Sequence, residues 1–135
     1  MPDRKDLPGS WLAAIVALTA GGIGGSHAQV TLPTATNPTG ADLFKQQCAA
    51  CHSLNAADPS RQGPPLAGVY GRKPGSLVSF HYSPGYAKAD FIWDEEHLDT
   101  YLADPQSVIP DAIMLYKQKN AAVRKAIISF LKEQK

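Results

Sequence analysis

Apolar positions in this 135-residue chain form a few short helical stripes separated by long stretches with no period. Leu43 and Phe44 follow Thr39 and Asp42, a variant of the Ser/Thr-x-x-Glu capping box, so a helix is predicted to open there and run into the cysteines. Asp94 caps a second helix, "EEHLDTYL", with Leu98, Tyr101 and Leu102 on one face, and Asp104-Pro105 stops it. Asn120 caps the last, whose Val123, Ile127, Phe130 and Leu131 make an apolar stripe with basic residues opposite. From Ser53 to Ala89 glycine and proline recur, which predicts a mostly irregular path with one helical turn near Pro84–Ala87. Residues 106–117 read as another irregular connection. The fold class is all-α, yet so few helices enclose too little core unaided. A loop segment this long in a compact domain needs something else to organise it, and a large buried cofactor would do so.

The first thirty residues differ from the rest. Arg4 and Lys5 precede an apolar run over residues 11–20, and Ser26 and Ala28 set small residues before Gln29. This is a secretory signal pattern, with an apolar run about half the roughly 20 residues a membrane span needs. The expected organisation is a signal peptide over 1–28, an extended Pro/Thr-rich lead-in over 29–39 and one domain over 40–135. Cleavage after Ala28 would deliver the chain to the periplasm with no stable membrane insertion; an uncleaved signal would leave it membrane-anchored. A formal net charge of +1 gives no strong pull toward nucleic acid or anionic lipid. A monomer is expected.

The chemistry gathers in "FKQQCAACHSLN", residues 44–55, which holds both cysteines of the chain and a histidine directly after them. Cys48 and Cys51 are too close together to staple a fold, because they would close a tiny loop. A disulfide-exchange site would sit at a strand-to-helix junction, and here a helix precedes Cys48. A structural zinc site needs four ligands, and no further cysteine or histidine pair supplies them. Cys-x-x-Cys-His then reads as a c-type haem attachment segment, suited to an exported chain. The two thiols bond the haem vinyl groups and His52 is held as an axial ligand. Met114 is the one methionine left after signal removal and falls in a loop far from Cys48. It is the candidate sixth ligand, with His81 the competitor; His97, among acids in a first helical turn, reads as solvated. Met/His ligation saturates the iron and suits electron transfer.

The segments "TGADLFKQQCAACHS", "GPPLAGVYGRKPG", "FHY", "WDEEHLDTYLADP" and "IPDAIM" occur in the order and near the spacings of class I cytochromes c, and from Gly40 to Lys135 the chain resembles their mitochondrial-type branch as found in bacteria. The resemblance implies a cytochrome c fold, with three main helices and long loops around one covalent haem c. It implies a soluble carrier of single electrons between larger redox proteins, not itself an enzyme. Gly40 would let the first and last helices cross closely, beside Phe44 and Phe130. The Pro64 carbonyl would accept the Nδ1–H of His52, Leu66 would line the haem face, and Arg72, Tyr82 and Trp93 would serve the propionates. Tyr101 matches the aromatic position beside the methionine sulfur.

Some positions depart from the family pattern. Its usual Pro-Gly-Thr-Lys-Met is here Pro110-Asp111-Ala112-Ile113-Met114, which removes a hydroxyl and predicts a different loop path at Asp111. Tyr86 stands where a polar amide is common. Gln106, Ser107 and Ile113 occupy places often held by lysine, leaving Lys45, Lys73, Lys117 and Lys119 to meet partners. If Met114 dissociates, the alternative function is a haem peroxidase or gas-ligand sensor.

Overall fold

The computed structural model describes residues 37–59 and 61–135; the expected signal segment and most of the expected lead-in lie outside the described residues. Five helices follow in order: α1 (Gly40–Gln47), α2 (Pro84–Lys88), α3 (Glu95–Ala103), α4 (Pro105–Val108) and α5 (Ala121–Glu133). Among the described residues there is no strand, and no helix is long and apolar enough to cross a membrane.

The three longer helices start where the side chains can satisfy orphaned backbone N–H groups. At α1 the Thr39 hydroxyl accepts from Asp42 N–H, and the Asp42 carboxylate accepts from Thr39 N–H at 3.0 Å. Asp94 accepts the His97 N–H of α3 at 2.8 Å, and Asn120 accepts from Ala122 at the start of α5. A missing partner at such a position costs about 1 kcal/mol, enough to fray a helix as short as α1.

Helix α1 crosses α5, and α3 packs on both α4 and α5. Leu43, Phe44, Leu98, Leu102, Ile127 and Leu131 bury their side chains at these contacts. The rings of Phe44 and Phe130 lie 5.6 Å apart beside the crossing. Asp99 and Arg124 add a two-pronged ion pair between α3 and α5, at 2.8 and 3.0 Å.

The crossing depends on Gly40. A Cβ there would lie 2.3 Å from the Ala126 carbonyl oxygen and 2.7 Å from the Phe130 Cβ, so the helices would have to move apart. Alanine normally favours a helix over glycine by up to about 1 kcal/mol. Here overpacking reverses the sign: Gly40→Ala is expected to destabilise the protein by roughly 2–3 kcal/mol. Denaturant unfolding of the two proteins checks this; an unchanged or raised midpoint would mean the helices do not meet at Gly40.

Backbone hydrogen bonds, not regular structure, fix the long irregular stretch. Gly71 N–H donates to Trp93 O and Trp93 N–H returns to Arg72 O, at 2.7 and 2.9 Å. Leu66 N–H donates to Ser53 O, and Gly68 N–H reaches Gln134 O beyond α5.

Two expectations need correction. Residues 105–108 are helical: Pro105, which ends α3, also starts α4, where its missing N–H is not needed. His97 is not simply solvated. Its ring stacks on Phe91 with centroids 4.2 Å apart, and Nδ1 lies 2.7 Å from the Asp94 carboxylate. Asp111 takes a left-handed φ of 69°, a conformation open to glycine and tolerated by aspartate.

Candidate functional site

The end of α1 and the loops between the helices enclose an apolar-walled cavity of about 440 Å³. That lies within the roughly 300–1,000 Å³ usual for ligand and cofactor sites. Cys48, Cys51, His52, Pro64, Leu66, Arg72, Tyr82, Trp93, Tyr101 and Met114 all line it, so residues spread over 67 positions of the chain share one space. Of the competing histidines, neither His81 nor His97 is on its wall.

Cys48 caps the C-terminal end of α1, and its carbonyl accepts from both Cys51 N–H and His52 N–H. That turn brings both thiols and the imidazole to the cavity. Both cysteines are free, and burial, with Cys51 nearby, pushes the Cys48 thiol up to about 11. An exchange-active dithiol needs the opposite, a lowered pKa that exposes thiolate at neutral pH.

His52 is fixed on two sides. Its Nδ1 lies 2.8 Å from the Pro64 carbonyl oxygen, which accepts hydrogen bonds only, so Nδ1 carries the proton and Nε2 keeps its lone pair. Gly63 presses against the ring so closely that a Cβ would approach Cε1 to 2.2 Å. Burial holds the imidazole below its usual pKa, with the Pro64 bond opposing, which favours the neutral, metal-binding form.

The polar groups of the cavity face it from loops and from α2 and α3. Arg72 donates to Ala67 O at 2.9 Å and Pro65 O at 3.2 Å, and the rings of Tyr82 and Tyr86 sit 5.0 Å apart. Trp93, 6% exposed, meets Tyr101 edge-on at 4.8 Å. The Tyr101 and Tyr86 hydroxyls lie 2.5 Å apart, and burial raises both above the usual phenol range, Tyr101 the more strongly.

Two features escaped the sequence reading. The Ser83 hydroxyl is buried on the cavity wall with no hydrogen-bond partner. An orphaned buried hydroxyl is costly, and an anionic group entering the cavity would satisfy it. Its place after Tyr82 was the available signal. Tyr116 donates its hydroxyl to the Gln47 side chain, which also accepts from Gln118 at 2.9 Å, linking the loop after Met114 to α1.

A planar, mostly apolar macrocycle with anionic substituents fits this site. The cavity offers two thiols able to bond such a group covalently, a neutral imidazole and a thioether that could ligate its metal, and Arg72 with the orphan Ser83 hydroxyl to meet negative charge. The family model described as cytochrome c matches residues 37–135. A cytochrome c2 iso-2 of Magnetospirillum fulvum is 49% identical over 86 residues, covering 63% of this chain and 88% of the relative. Cytochrome c of Theileria annulata is 38% identical over 105 residues, covering 77% and 90%. That of Arabidopsis thaliana is 36% identical over 96 residues, covering 70% and 86%. The resemblance in the sequence, the site and the relatives thus agree, and the chain belongs to the cytochrome c family, carrying single electrons on one covalent haem c.

Proposed function

We propose that Cys48 and Cys51 form the two thioether links, that His52 and Met114 are the axial ligands, and that the chain works in the periplasm between larger redox proteins without transforming a substrate of its own. The observation that carries this reading is the locked, neutral His52 on the same cavity as Met114, with both thiols beside it. When bound, haem c supplies the Fe(II)/Fe(III) couple.

Each protein group has a physical task in this reading. Pro64 and Gly63 fix the orientation of His52, so little moves when the charge at the site changes. Leu66, Trp93 and Tyr101 keep water out, which strengthens every electrostatic interaction inside. Arg72, Tyr82 and Ser83 offset buried negative charge on the propionates. The signal over residues 1–28 supports the periplasmic assignment. A monomeric chain that meets partners transiently suits a carrier.

The docking face is the Met114 side of the cavity. Ile113 and Leu115, on either side of Met114, are 68% and 80% exposed. Lys117 is paired with Asp104 at 2.8 Å and Lys73 with Asp90 at 3.6 Å, so two of the four candidate lysines are already paired within the chain. Apolar contact therefore carries more of the docking than long-range attraction.

A potentiometric titration of the holoprotein, followed by carbon monoxide addition to the reduced form, tests the assignment. A one-electron transition and no rapid carbon monoxide binding are expected. Rapid binding would replace the carrier role with peroxidase or gas-sensing chemistry.

A further inference from the structure

Resting on Met114 as the sixth ligand, we infer that Asp111 is a positioning residue that ties the ligand loop to α2 and sets how readily the loop opens. Both Asp111 carboxylate oxygens lie 3.0 Å from the Gly85 N–H. That N–H belongs to the first turn of α2, whose N-cap Ser83 makes no side-chain capping bond. Asp111 thus supplies from 26 residues away the acceptor that α2 lacks locally.

Two backbone features make this contact possible. Asp111 stands at φ 69°, and among the described residues it is the sole non-glycine with a positive φ. Gly85 is buried against the loop: a Cβ there would come within 2.1 Å of the Pro110 carbonyl oxygen and 2.5 Å of Asp111 Oδ1. Any side chain at position 85 would push the two segments apart. The residue after Gly85 is Tyr86, hydrogen-bonded to Tyr101 of α3. The tie therefore fastens the Met114 loop to a segment that is itself anchored on the cavity wall.

Ile109 anchors the start of this loop in the core, but past Asp111 side-chain packing is sparser. Ile113 and Leu115 point largely into solvent, and Ala112 buries no more than a methyl group. Polar anchors add to this: Asp111 three residues before Met114, the Ala112 carbonyl, which accepts from Gln106 Nε2 at 3.2 Å, and Tyr116, bonded to Gln47, two residues after Met114. Of these, Asp111 is the carboxylate, and charge-assisted hydrogen bonds are the stronger kind.

The test is the rate at which imidazole displaces the sixth ligand in ferric holoprotein, for the parent, Asp111→Gly and Asp111→Asn. Glycine adopts φ 69° without strain, so it removes the carboxylate and leaves the backbone path open. Asparagine tolerates the same conformation and keeps an amide oxygen as acceptor. Asp111→Gly is expected to bind imidazole roughly tenfold faster, the effect of losing one charged hydrogen bond in a partly exposed setting. Asp111→Asn should restore much of the slow rate. A parent that shows a sulfur-ligated ferric spectrum but no acceleration in Asp111→Gly overturns the tie alone, as does an Asp111→Asn rate equal to the glycine variant's. A parent without that spectrum overturns both the tie and the ligand assignment.

Discussion

His52→Ala is expected to reduce the yield of haem-bearing protein at least roughly tenfold, since even groups that merely orient a metal ligand are worth 10–100-fold. The imidazole is held by the Pro64 carbonyl at 2.8 Å and by Gly63 against its face, an arrangement that serves one orientation of one ring. Its removal would take away the proposed axial ligand and widen a cavity of about 440 Å³ that the helices alone do not close. Loss of the cofactor then becomes loss of the fold, because binding energy of this kind is folding energy. Haem staining after denaturing electrophoresis, normalised to total protein, measures the effect. A parent-like yield would remove His52 from the site.

The second large effect is in Met114→Ala, whose reduction potential should fall by on the order of a hundred millivolts or more. A thioether stabilises the reduced metal; water or a hydroxyl in its place favours the oxidised one. The substitution also opens the sixth position, so the reduced variant should bind carbon monoxide where the parent does not. His81 and His97 are off the cavity wall, so neither is placed to replace the lost sulfur. Redox titration under nitrogen checks the shift. An unchanged potential would show that Met114 is not a ligand.

How far the sequence reveals this molecule depends on how local each signal is. Helices α1, α3 and α5 were legible because Thr39, Asp94 and Asn120 are caps, and a cap acts within three residues. Helix α4 was missed because Pro105 has two meanings: it ends one helix and begins another. Cys48, Cys51 and His52 lie in five consecutive positions, so their chemistry could be read directly.

The rest of the wall was another matter. No local rule aims Pro64, Leu66, Arg72, Tyr82, Trp93 or Tyr101 at a common space, and family resemblance alone pointed to them. The Tyr116–Gln47 and Asp111–Gly85 contacts join residues 69 and 26 apart, through pairings that leave no periodic trace. At Asp111 the residue type marked the position as unusual, but neither its left-handed backbone nor the partner of its carboxylate could be read from it.

The central claim is that the sulfur of Met114 closes the site and makes the chain a carrier. The absorption spectrum of the ferric holoprotein at neutral pH tests it most directly. The weak long-wavelength charge-transfer band of a sulfur-ligated haem is expected in the parent and absent from Met114→Ala. A parent lacking that band would contradict the account, leaving an open iron and a protein built to bind small ligands.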